Sequence, residues 1–434
     1  MTHLGAGYAD RVITSALGLE LSGYGFYLER RAESVLDDLR VRALILDDGA
    51  VRLALISFDL IGFAVDFADR LRRAVSEAVS IEPRNILLAC THTHTGPATQ
   101  ALRGIGEVDA AYLASLPGAA VEAAAAALSD VAESELWFGF EAVEAIGFNR
   151  RLATFEGIDP LLKTARFKRK DGEIFLLNYA CHPVTLGRDA RVSGDWPGAA
   201  VRALEARGRR ALVFQGFCGD IDPVTNLNRW GRGTEEDLGL YGEILAGRAL
   251  KSAALGGRIE GTNAPARGRP AGRALAAAEA RVRVPLEVPP AGEIETLAAL
   301  FRARNQRFPA ADRFASEWAE SAPTRRGELA EMPYLDNVPV QAMAIGGLKI
   351  IAFPGEVFTA YSVALKKEFP TLFPIGYANG NIGYLPSRAA FEDPDDYAAV
   401  FAPMFYGAFP FTLDLPALLI STARRLLLNL GTQY

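Results

Sequence analysis

Four histidines occur in the 434 residues, and three of them fall in two short strings, Thr91-His92-Thr93-His94-Thr95-Gly96-Pro97 and Cys181-His182-Pro183. Imidazole is the commonest protein ligand for zinc and the usual acid or base near neutral pH. Clustering of so rare a residue points to chemistry rather than packing. His92 and His94 are spaced i, i+2, which on a strand turns both to one face, within reach of one ion or of an ion and its bound water. The alternative for the pair is two hydrogen-bonded polar residues at a strand end, and for His182 a buried core histidine. A three-histidine site, or a histidine/carboxylate site with an open position, is what hydrolytic zinc needs. Asp220 and Asp222, in Gly219-Asp220-Ile221-Asp222-Pro223, can orient a ligand histidine or act as base, or else cap a loop. Cys90, Cys181 and Cys218 each lie beside a motif; a thiolate ligand is one reading, a small buried hydrophobe the commoner one.

The elements that must position these groups alternate between β and α character. Both histidine strings follow apolar β-type runs, Asn85 to Cys90 and Ile174 to Tyr179, and strand ends are where open α/β sheets place their sites. Arg42 to Leu46 and Leu53 to Phe58 read as neighbouring strands, Val65 to Val79 as a helix, and Ala110 to Ala126 as a helix with an interruption at Pro117-Gly118. Further strands are expected at Leu136 to Phe140, Thr164 to Lys168 and Ile174 to Leu177, and a helix at Gly198 to Arg207. Residues 256–273, rich in Gly, Arg, Pro and Ala, read as an exposed loop. Beyond it come a strand (Ala280 to Val288), a helix from Pro290 towards Arg307, a charged stretch to Glu331, a hairpin over Gly346-Gly347, a helix from Val357 to Lys367 and a closing helix, Leu415 to Leu430. The pattern implies an α/β fold of mixed sheets flanked by helices.

A net charge of −6 and a pI near 5.5 argue against a nucleic-acid partner. No apolar run of the length of an integral membrane segment stands out, and the N-terminus shows no secretory pattern. Three cysteines cannot all pair in one chain, which fits a reducing compartment and a cytoplasmic location.

Taken in order, the motifs resemble those of the neutral/alkaline ceramidase family, over nearly the whole chain. Gly5-Ala6-Gly7 with Asp10 is similar to that family's opening Gly-x-Gly-x-x-Asp, and Ser57-Phe58-Asp59 to its Ser-x-Asp strand end. The Thr91 to Pro97 string is the most distinctive match; the resemblance makes His92 a zinc ligand and turns His94 to the substrate. Asn149-Arg150 resembles the pair whose arginine lies in the active site. Asn178 to Pro183 resembles the segment giving the second zinc histidine, His182, and Ser193-Gly194-Asp195 the short motif after it. Pro354-Gly355-Glu356 and Tyr384 fall where the family has its glutamate and tyrosine ligands, and Tyr397 matches a further active-site tyrosine across a one-residue insertion.

One departure changes the chemistry expected. Where the family has its serine nucleophile, this chain has Asp222, and a carboxylate cannot form the same acyl-enzyme. The chain also ends just beyond the last motif, so no C-terminal immunoglobulin-like domain is expected. The reading is therefore a single catalytic domain over 1–434 whose second half folds back to complete one zinc site per chain. His92, His182, Glu356 and Tyr384 would hold the ion; His94, Arg150, Asp220, Asp222 and Tyr397 would surround the reaction. The reaction expected is hydrolysis of a small-molecule N-acyl (amide) bond by metal-activated water. The aromatics Phe401 to Phe411 read first as core packing and otherwise as a pocket lining or an apolar rim; without a basic amphipathic anchor, the substrate is expected to be soluble and smaller than ceramide. The rival readings are a hydrolase of small amides, esters or lactones unrelated to sphingolipids, and a non-catalytic metal- or ligand-binding protein.

Overall fold

Alternation along the strands Arg40–Asp47 and Arg52–Phe58 divides their side chains between two cores. Val41, Ala43, Ile45, Ile56 and Phe58 face one way, onto helices. Leu44, Leu46, Leu53 and Leu55 face the other, onto a second sheet. A strand buried on both faces is a continuous apolar run rather than an alternating one, which these two segments are. The computed structural model describes residues 4–144, 146–258 and 275–430, and in it this two-sided burial builds four layers: helices, a large sheet, a small sheet, and helices again.

The large mixed sheet runs Arg210–Gln215, Gly172–Tyr179, Leu161–Arg169, Ala132–Ala142, Leu4–Val12, Arg40–Asp47, Arg52–Phe58, Ile86–Cys90. The first and last pairings are parallel and those between them antiparallel. The small sheet runs Leu275–Pro285, Tyr334–Ile345, Leu348–Ala352, Leu372–Ile375. Leu87, Leu176, Leu212 and Phe214 of the first meet Met343, Ile350 and Phe373 of the second in one shared core. A fully buried Leu or Phe contributes roughly 2 kcal/mol, so this middle layer ties the two halves of the chain into one unit.

The outer layers explain most of the helices. Val65–Val79 lays Phe67, Leu71 and Val75 on the large sheet beside Ala110–Ser129, Asp195–Glu205 and Glu235–Leu255. Ile294–Arg304, Ala311–Glu328 and Leu415–Asn429 cover the small one.

Several expectations need correction. Ala110–Ser129 runs unbroken through Pro117. It is also the one helix among the described residues long and apolar enough to cross a membrane, and it packs instead on Leu4–Val12 and Arg40–Asp47. The charged stretch before Glu331 is mostly the helix Ala311–Glu328, whose buried stripe is alanine and aromatic. Gly257–Arg258 is not loop but pairs with Trp137 and Phe138; residues 259–273 of that expected loop lie outside the described residues. Leu4–Val12, read only for its glycines, is a central strand: a Cβ on Gly7 would overlap the backbone of Ala127, so its glycine lets a helix sit close.

Candidate metal centre and active-site pocket

Three of the four candidate ligands lie just past the carboxyl end of a strand. His92 follows Ile86–Cys90, His182 follows Gly172–Tyr179, and Glu356 follows Leu348–Ala352 across Phe353-Pro354-Gly355. His92 is therefore not on a strand, as its spacing from His94 suggested, but in a loop at φ 68°. Its backbone N–H donates to the Leu60 carbonyl (2.9 Å), and its ring stacks on Tyr377 with centroids 4.0 Å apart. The threonines of the string do the holding: Thr93 and Thr95 both donate Oγ1 hydrogens to the Ser193 carbonyl (2.8 and 2.9 Å). The histidines are thereby free to face the pocket, their ring centroids 4.9 Å apart.

Glycine makes the closest approaches possible. A Cβ on Gly219 would overlap the carbonyl of Glu356, whereas the Gly219 N–H donates to the Val357 carbonyl (2.7 Å). Glu356 and Tyr384 are register partners in a short parallel pair, Glu356–Val357 with Tyr384–Leu385. That pairing sets a carboxylate and a phenol side by side.

The hydrogen bonds fix which nitrogens face inward. His92 Nδ1 lies 2.6 Å from the Ile61 carbonyl and His182 Nδ1 2.8 Å from that of Cys218. A carbonyl accepts only, so both Nδ1 atoms carry the hydrogen and both Nε2 atoms present lone pairs. These lone pairs converge on one carboxylate oxygen: Glu356 Oε2 is 3.4 Å from His92 Nε2 and 3.1 Å from His182 Nε2. The other oxygen, Oε1, accepts from Tyr406 Oη (2.7 Å). Burial raises the Glu356 carboxyl's pKa, but positive charge at His92 and His182, as when a ring is protonated, outweighs it and holds the group well below the usual carboxylate range. Three buried acceptors facing one another repel unless a cation or a proton lies between them.

His94 differs from the other two. Its nitrogen lies with theirs in a group whose ligand atoms are all within 4.8 Å, yet neither of its ring nitrogens has a partner. Nδ1 faces the backbone of Gly23, which leaves Nε2 for the pocket. Burial, then the neighbouring imidazoles, push its pKa well below the ordinary value, so the ring is neutral. Arg30 donates to the His94 carbonyl and, at 2.6 Å, to that of Ser22, pinning the loop from behind.

Arg150 lies across the same floor. It donates to Asp222 Oδ1 (3.1 Å), the Gly219 carbonyl (2.8 Å) and Tyr384 Oη (2.7 Å). The second Asp222 oxygen accepts from Asn226 (3.3 Å), and its first pairs with Arg150, so Asp222 is the counter-ion of Arg150. Asp220 takes the plainer of its two readings. Its Oδ1 accepts from the N–H and hydroxyl of Thr359 (2.8 and 3.0 Å), capping the helix Thr359–Lys366, and Asn149 reaches its other oxygen. Backbone carbonyls, not these aspartates, orient His182. Tyr397 stands at the pocket mouth, half-exposed, its ring 5.8 Å from that of Tyr384.

Sequence reasoning missed Tyr377 and gave Tyr406 only an apolar role. Neither has a motif of its own, and the signal was their place after the ligand segments: Tyr377 follows the strand Leu372–Ile375, and Tyr406 sits in the aromatic stretch. Cys90, Cys181 and Cys218 are buried, with thiol pKa values raised by burial, and none joins the histidine group.

The pocket above these residues has a volume of about 670 Å³. One wall is apolar, with Phe26, Leu102, Ile105, Phe308 and Phe405. No serine, threonine or cysteine lines it among the described residues. Phe401, Phe405, Phe409 and Phe411 are buried, as the core-packing reading of the stretch requires, and Phe405 also lines the pocket. Exposed apolar groups do stand at the mouth: Leu227 on the short helix Thr225–Arg229, Trp230 just after it, and Tyr397 at the start of the helical turn Tyr397–Phe401.

No protein-family model matches the sequence, and no curated protein sequence matches it. Solved structures do. Neutral ceramidase from Pseudomonas aeruginosa superposes with a TM-score of 0.73 at 16% identity, over 100% of this chain and 75% of the other. A ceramidase complexed with C2 gives the same score and identity over 99% and 75%. At that identity the likeness speaks for architecture, and the architecture is plain: this chain has the neutral ceramidase fold.

Proposed function

We propose that the protein is a metal-dependent hydrolase of ceramidase type that cleaves the amide bond of an N-acyl lipid, in place of the small soluble substrate expected from the sequence. One observation carries the reading: two anchored histidines and a glutamate aim three buried acceptor atoms at one point. Nitrogen and carboxylate donors of this kind suit zinc, and one ion per chain is the count we propose. His92, His182 and Glu356 would hold it, with Tyr384 alongside. A bound zinc ion supplies Lewis acidity and lowers the pKa of a coordinated water.

The chain's own groups do the rest. His94, neutral and unanchored, takes a proton at Nε2 from the attacking water and returns it to the leaving amine nitrogen. Arg150 directs positive charge to the floor where the carbonyl oxygen becomes anionic, its own charge balanced by Asp222. The apolar wall takes an acyl or alkyl arm. Among the described residues no serine or threonine hydroxyl and no thiol lines the pocket, so in this proposal water adds to the carbonyl directly and no acyl-enzyme forms. The buried, unpaired thiols support a cytoplasmic setting.

The test is hydrolysis of N-acyl amides, ceramide among them, by metal-loaded and chelator-treated protein. Activity that depends on metal and falls with His92→Ala is expected. Full activity after complete metal removal would defeat the proposal.

A further inference from the structure

Five of the large apolar side chains that stand exposed gather at one place. Leu152 (49% exposed) and Phe155 (47%) project from the turn 150–157, whose Arg151 and Ala153 line the pocket. Leu227 (36%), Trp230 (51%) and Tyr397 (47%) line its mouth themselves. Apolar groups scattered singly on a surface mean little, but a set around the opening of an apolar pocket marks an interaction site.

The charges at the same place select the partner. Arg188 lies over the Trp230 ring, 5.4 Å from its centroid; Arg232 is two residues beyond Trp230, and Arg307 lines the pocket beside Phe308. All three are exposed, and among the described residues none is ion-paired to a carboxylate. The aspartates of the mouth already have arginine partners: Asp393 and Asp396 pair with Arg151, and Asp395 with Arg304. Glu156 is the one acid of the turn 150–157. In a chain of net charge −6, these are three arginines left without a carboxylate partner beside exposed aromatics.

We propose that this rim seats the protein on an anionic lipid surface, its apolar side chains entering the headgroup boundary and Arg188, Arg232 and Arg307 meeting lipid phosphates, so that the pocket opens onto the bilayer. The inference rests on the N-acyl lipid reading. Partly buried aromatic and leucine side chains supply affinity in proportion to the area they insert, and basic residues at the surface add a salt-screened attraction.

The experiment sediments the whole protein with vesicles of phosphatidylcholine alone and of equal parts phosphatidylcholine and phosphatidylglycerol. Binding to the second, weakened by salt and accompanied by a blue shift of emission that Trp230→Phe removes, is the expected result. The double variant Leu152→Ser/Phe155→Ser should bind at least about tenfold more weakly. Arg188→Gln/Arg232→Gln should lose about fivefold per charge. Both should cleave a short soluble N-acyl amide as the parent does, which also shows that they fold. No binding to either vesicle, equal binding by parent and Leu152→Ser/Phe155→Ser, or a dimer in solution that this variant dissolves would each overturn the docking. Vesicle binding as expected without hydrolysis of any N-acyl amide would sink the proposed reaction and leave the docking standing.

Discussion

At the scale of single residues, the site separates histidines that are held from one that waits. His92 and His182 have one nitrogen each fixed by a backbone carbonyl, the arrangement that locks a metal ligand's tautomer and orientation; His94 has neither. His92→Ala, His182→Ala and Glu356→Ala should therefore lose bound metal, measured as metal per chain after dialysis. His94→Ala should keep it and lose rate, by about 10²–10⁴-fold if the group is the acid/base. Full metal retention by both His92→Ala and His182→Ala would refute the ligand set. Tyr406→Phe removes the hydrogen bond to Glu356 Oε1, and loss of such outer support costs about 10–100-fold in metal affinity. The same scale decides the chemical route. With Asp222 bound to Arg150 and, among the described residues, no serine, threonine or cysteine lining the pocket, a serine-directed acylating probe should leave the protein unmodified and hydroxylamine should capture no acyl group. A stoichiometric adduct on a pocket residue would reverse that conclusion.

At the scale of elements, the question is what holds Glu356 in place, and the helix Thr359–Lys366 just after it answers. Asp220 caps its first turn. At its other end Lys366 shares the buried Asp159 carboxylate with Lys163. Burial and then Lys163 push the Lys366 pKa down to about 7, against about 10.4 for a free lysine. Between those values the unfolded chain binds the extra proton, so this group makes stability rise with pH across that window. Lys366→Met should abolish that rise, seen as a parent-minus-variant unfolding free energy that grows from pH 7 towards 10. A difference that stays flat would show that Lys366 titrates normally. Elements were also where the sequence was most and least legible. Val65–Val79 was read to its ends because Phe67, Leu71 and Val75 keep helical spacing. The helix Glu235–Leu255 was not read at all, since glycines and alanines interrupt its stripe. The candidate ligands His92, His182 and Glu356 stand in short strings that are visible in the sequence. The φ of His92 and the pairing of Glu356 with Tyr384 were not, because both depend on contacts between segments far apart in the chain.

At the scale of the whole molecule, the site and the core make the same connection twice. The middle layer joins strands of the first half to those after residue 275. Above it, His92 and His182 from one half face Glu356 from the other. Mixed sheets with helices outside followed from the alternation of segments, but their stacking into four layers did not, because a strand buried on both faces does not say which face meets a helix. The layering carries its own prediction. Halves that share a core cannot unfold separately at modest cost, and a ligand bound only by the folded state stabilises by RT ln(1 + [L]/Kd), about 2.7 kcal/mol at a hundredfold excess over Kd. Heating should therefore give one transition in calorimetry, moved upward by zinc as a whole and returned by a chelator. In a chain this long about 3 kcal/mol amounts to only a few degrees, so the cleaner readout is the shape of the transition. His182→Ala should unfold in one step near the chelated parent and show no shift with zinc. Two separated transitions, with zinc moving just one, would mean that the ion is held within a single half and that the bridge from His92 and His182 to Glu356 does not carry it.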